Sequence, residues 1–110
     1  MDIKSRKENN ITVVTVTGRM DAVTSPDFEK SLSEMIARGE STFVINLSAL
    51  EYISSAGLRC ILSTAKQLKN KNGTIIFAGL QGAVEEVFKI SGFHTLFKVF
   101  DTEEKALKKI

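Results

Sequence analysis

The chain has no tryptophan, and it has one cysteine, one proline, one histidine and one tyrosine among 110 residues. A lone cysteine, Cys60, excludes an internal disulfide and any cysteine-rich metal cluster, and it suits a reducing compartment. The one histidine, His94, lies in Gly92-Phe-His-Thr-Leu-Phe97 with no second histidine and no cysteine pair at ligand spacing. The sequence therefore predicts no metal site, and His94 reads as a structural residue on a helix-to-strand connection. No run approaches the ~20 apolar residues needed to cross a bilayer. The opening MDIKSRKENN lacks the apolar stretch of a signal peptide, so no export and a cytoplasmic location are expected. Charge of one sign is also scarce: 15 Lys+Arg against 13 Asp+Glu leave +2. That balance gives no nucleic-acid footprint, which needs basic residues gathered on one face.

Apolar residues make up 43% of the chain, enough for one core at this length, and the expectation is a single domain over residues 1–110. Ile11 to Thr17 is rich in β-branched residues and reads as a strand, with Asp2 to Glu8 as its hairpin partner across Asn9-Asn10. Ser25-Pro26 reads as a helix cap and first turn. The helix it opens carries Phe28, Leu32, Met35 and Ile36 at helical spacing and ends near Gly39. Thr42 to Leu47 is a short, nearly continuous apolar run, the pattern of a central strand covered on both faces.

Leu58, Ile61, Leu62, Ala65 and Leu68 mark a second helix, Thr74 to Ala78 a buried strand, and Val84, Val87, Phe88 and Ile90 a third helix. Lys98 to Phe100 is a last short strand, and Asp101 with Glu104 three residues on predicts a cap for a C-terminal helix. The pattern predicts an α/β fold: a mixed central sheet of four to five strands packed by about four helices, with right-handed crossovers.

Chemistry concentrates at Ile53-Ser-Ser-Ala-Gly57, between the central strand and the second helix. A hydrolase elbow would need glycines flanking the serine, a histidine base and an acid; the glycines are missing and His94 is the one histidine, so a serine hydrolase is a remote alternative. Gly79-Leu-Gln-Gly82 lacks the Lys-Ser/Thr pair of a phosphate loop and the third glycine of a dinucleotide fingerprint, and no cofactor is expected. Two readings of Ser54 and Ser55 remain on physical grounds. Either serine can be an N-cap contributing about 1 kcal/mol. The cap is the simpler reading; the alternative is that the unpaired N–H groups and partial positive charge of a helix start would stabilise a phosphate there.

The stretch Ile45-Asn-Leu-Ser-Ala-Leu-Glu-Tyr-Ile-Ser-Ser-Ala-Gly-Leu58 resembles the signature of STAS domains, in particular the stand-alone anti-sigma factor antagonists of bacteria. Gly18-Arg-Met-Asp21 is similar to a second element of that family. The resemblance implies that Ser55 is the phosphorylated serine, with Ser54 as rival acceptor because it stands where the family commonly has Asp. Asp21 falls on an acidic residue placed near the site, and Asp21, Ser54, Ser55, Gly57, Leu58 and Arg59 are the implied partner contacts. The implied function is partner switching. The unphosphorylated protein binds an anti-sigma factor that is also a serine kinase and so releases a sigma factor; phosphorylation ends that binding and a serine phosphatase restores it. The alternative within the fold is a non-switching STAS subunit of a transporter or lipid-transport ATPase complex, in which Ser55 is a cap alone.

Overall fold

In the computed structural model, which describes all 110 residues, β1 (Asp2–Glu8) and β2 (Ile11–Met20) form the expected antiparallel hairpin. The turn between them places Asn9 at φ +58°, a left-handed position that asparagine tolerates. β2 then runs parallel to β3 (Thr42–Ile53), β3 to β4 (Thr74–Ala78) and β4 to β5 (Lys98–Phe100), giving one sheet in the order β1-β2-β3-β4-β5. Helices α1 (Ser25–Ala37), α2 (Ser55–Asn70), α3 (Gly82–Ile90), α4 (Phe93–Leu96) and α5 (Glu103–Lys108) follow in chain order.

Side-chain alternation along the strands divides the interior in two. Val14, Val16, Phe43, Ile45, Leu47 and Phe77 point to one face and meet Phe28, Leu32, Ile61, Leu68, Val84, Phe88 and Phe93 from α1, α2, α3 and α4. Val13, Val44, Ile76 and Ala78 point to the other face, where Ala106 of α5 covers them. Most of the apolar burial that drives folding is therefore on the four-helix side. On the sparse side α5 is tied down by polar contacts: the Glu103 carboxylate accepts from Arg6 at 2.6 Å and from the Asn46 amide at 3.0 Å. The Arg6 bond holds the Glu103 carboxyl below the usual carboxylate range. Phe77, Phe88, Phe93 and Phe97 meet edge to face with centroids 5.2–5.5 Å apart, which locks α3 and α4 onto β4.

Four local expectations are corrected. The central strand does not stop at Leu47 but continues to Ile53, because register shifts against β2 at Thr15/Thr17 and Gly18/Arg19 bring Leu50 and Ile53 back into the core. α1 starts at Ser25 itself, whose hydroxyl donates to the Asp21 carbonyl rather than capping the helix. The cap of α5 is Thr102, whose side chain accepts from the Lys105 N–H, and not Asp101. An additional single turn, α4, occupies the segment read as a connection, with His94 exposed on it. No helix is long and apolar enough to cross a membrane.

Candidate functional site

Ligands of open parallel sheets gather at the carboxyl ends of the strands, and there β2 and β3 end side by side. Met20 closes β2 and Ile53 closes β3, and the Ser54 N–H donates to the Met20 carbonyl at 2.9 Å. The start of α2 is thereby fixed against the loop after β2. Ser54 is in an extended conformation (φ −95°, ψ 173°), which aims its hydroxyl oxygen at the N–H of Gly57, 3.2 Å away, while its carbonyl accepts the Leu58 N–H at 3.0 Å. These are the geometry and bonds of an N-cap. Ser55 is the first helical residue; it is exposed, and its hydroxyl has no hydrogen-bond partner. Two serines that sequence alone leaves equivalent thus hold different positions, one engaged by the backbone and one open to solvent.

Gly57 is buried. A Cβ there would lie 2.8 Å from Ile53 Cγ1 and 3.0 Å from the Met20 carbonyl oxygen, so glycine lets the first turn of α2 sit directly on the ends of both strands. Leu58 is half-buried against the main core. Arg59 is exposed one turn after Ser55 and borders a shallow groove between α1 and α2, together with Ala22, Pro26, Glu29 and Cys60. Glu29 accepts from the Ser63 hydroxyl at 2.6 Å and from the Cys60 thiol at 3.5 Å. Burial first, and then Glu29, pushes the Cys60 thiol up, which disfavours the thiolate needed for reactivity.

The loop after β2 is built around Asp21. Its Oδ1 accepts the N–H groups of Val23 and Thr24, both at 3.0 Å, and the Thr24 hydroxyl donates to the Arg19 carbonyl at 2.8 Å. The Thr24 N–H bond is the main reason the Asp21 carboxyl is held below its usual range. A lowered folded-state value means that the ionised form stabilises the fold at neutral pH. That contribution is lost as pH falls through the folded-state value. We expect Asp21→Ala to melt below the parent at neutral pH, with the gap closing as the pH drops below the ordinary carboxylate value of about 3.9. Paired thermal melts across that range check it; a gap independent of pH would remove the carboxylate from the account.

Asp21, Ser54, Ser55 and Arg59 share this end of the sheet, whereas Gly57 and Leu58 serve the packing beneath it. Residue-type reasoning missed two neighbours. β2–β3 pairing sets Arg19 opposite Tyr52, and the guanidinium carbon stacks 4.2 Å from the ring centroid. Val23, at the tip of the Asp21 loop, is 85% exposed. The sequence signal for the first was the cation and the aromatic at matching ends of adjacent strands; the second follows from loop shape alone.

Fold and site together define an α/β module that offers a free serine hydroxyl at a helix start, beside a hydrogen-bonded acidic loop. The STAS domain model matches residues 2–106, and the chain belongs to that family. It is 35% identical over 106 residues to BtrV of Bordetella bronchiseptica, named an anti-sigma factor antagonist, an alignment covering 96% of this chain and 91% of that one. Among solved structures, an anti-sigma factor antagonist from Mycobacterium paratuberculosis superposes with a TM-score of 0.90 at 26% identity, covering 99% of this chain and 92% of that one. The unphosphorylated form of the anti-sigma factor antagonist SpoIIAA has the same fold, with a TM-score of 0.85 at 22% identity over 98% of this chain and 95% of that one.

Proposed function

We propose that this protein is an anti-sigma factor antagonist whose binding to an anti-sigma factor with serine-kinase activity is switched off by phosphorylation of Ser55 and restored by a serine phosphatase. The observation that carries the reading is the division of labour at the start of α2: Ser54 caps the helix, leaving the Ser55 hydroxyl exposed and unbonded. A kinase can reach that oxygen without first breaking a structural bond. The first turn of α2 contains no acidic residue, so nothing on the helix itself opposes an added phosphate. The names carried by the relatives supply the partner class, since this STAS chain matches them over nearly its full length. Binding would free a sigma factor from the anti-sigma factor.

Phosphosite mapping tests the reading directly. Incubated with the cognate anti-sigma factor kinase and ATP, the chain is expected to gain one phosphate, on Ser55, and Ser55→Ala to gain none. Ser54→Ala should still be modified, since it loses a cap and not the acceptor. Phosphate on Ser54, or on neither serine, would defeat the assignment.

A further inference from the structure

A second concave region lies away from the strand ends that carry Ser55, on the C-terminal half of α2. It is a groove of about 430 Å³ between α2, β4, α4 and β5, within the size range of small-molecule sites, ~300–1,000 Å³. Its origin is the brevity of β5, which pairs only with Ile76 to Ala78 and leaves Thr74 and Ile75 of β4 without a strand neighbour on that side. Leu62, Ile75 and Phe97 line the groove and pack directly on the main core, so it opens onto apolar interior. Leu96 on α4 adds an apolar wall that is 61% exposed.

Charge at the rim is of one sign. Lys66, Lys69 and Lys98 border the groove, no carboxylate lines it, and none of the three lysines takes part in an ion pair. Lys66 and Lys69 also follow Ser55 on α2 by 11 and 14 residues, about 16 and 21 Å along the axis at ~1.5 Å per residue. The groove is therefore separate from the proposed switch.

We infer that this groove binds an anionic amphiphile of the alkyl carboxylate type, with its chain on Leu62, Ile75, Leu96 and Phe97 and its carboxylate among the three ammonium groups. An apolar chain there extends the existing core and covers side chains that water now touches. The carboxylate meets three cations that no protein group neutralises. A chain-and-headgroup ligand satisfies both halves of the site. A sugar or nucleotide would leave polar groups unpaired on the apolar floor.

The test is a methyl and amide NMR titration of the intact chain with decanoate, beside decyltrimethylammonium as the cationic counterpart. Saturable shifts confined to Leu62, Ile75, Leu96 and the three lysine amides are expected with decanoate, and none at these positions with the cation. Lys66→Glu combined with Lys98→Glu should weaken decanoate by about tenfold or more, since two attractions become repulsions. Both lysines are exposed, and an unchanged spectrum of the free variant verifies its fold. Equal binding of the two amphiphiles, equal binding by the variant, or shifts centred on the α1–α2 face would overturn the inference. So would the same residues shifting with protein concentration alone, which assigns the groove to a second copy. Shifts produced by an acidic leucine-bearing peptide but not by decanoate would also overturn it, and would assign the groove to a partner protein.

Discussion

Ser55→Asp will bind the cognate anti-sigma factor about 5- to 150-fold more weakly than the parent chain, the range of a 1–3 kcal/mol coupling, while Ser55→Ala will bind as the parent does. Ser55 is exposed and carries no structural bond, so neither change disturbs the fold. What changes is the surface a partner must desolvate. At the proposed interface a carboxylate would bring one charge and a phosphate between ~1.5 and 2, each of which would have to be stripped of water or paired on binding. Calorimetric titration of both variants against the purified partner reads the effect. Should Asp and Ala bind alike, the serine is a bystander, and the interface lies elsewhere than at the start of α2.

The second large effect is on the fold. Gly57→Val will destabilise the protein by about 1–3 kcal/mol or more, the cost of overpacking a site that cannot expand. Helix propensity pulls the other way, since glycine costs up to ~1 kcal/mol relative to the best helix formers and valine somewhat less. The contacts decide it. The new side chain would begin 2.8 Å from Ile53 Cγ1 and 3.0 Å from the Met20 carbonyl, and that same carbonyl accepts the Ser54 N–H. Moving the backbone to make room breaks the bond that seats the helix start. Urea unfolding gives the magnitude, and the variant should also be a poorer kinase substrate because Ser55 is no longer held in place. An unchanged or raised midpoint would mean that the first turn of α2 is looser than its contacts indicate.

Much of this was legible in the sequence. The strand cores Ile11–Thr17, Thr42–Leu47 and Thr74–Ala78 and the faces of α1, α2 and α3 follow from side-chain period, because burial on a sheet or a helix imposes that period. The second half of β3 was hidden. After Leu47 its buried residues are Leu50 and Ile53, three apart, a spacing that no regular strand has and that only the register shifts against β2 explain. Caps were misplaced by one residue at Ser25 and Asp101, since the choice between adjacent polar residues turns on a backbone torsion and not on residue type. For the same reason the Ser54–Ser55 pair remained ambiguous until the extended conformation of Ser54 assigned it to the cap. The Arg19–Tyr52 stack needed the strand register, which a single sequence does not display.

The neutral cap alters the starting point of the switch. A helix start carries roughly half a positive charge, and an aspartate in the capping position would already have neutralised it. With Ser54 there, and no acid in the first turn, no carboxylate offsets that half-charge, and it remains to meet a phosphate added at Ser55 as proposed. Phosphorylation of Ser55, as proposed, would then take this helix end from slightly positive to distinctly negative. A partner docking there would meet a reversal of sign, where an aspartate cap would leave only an increase in negative charge.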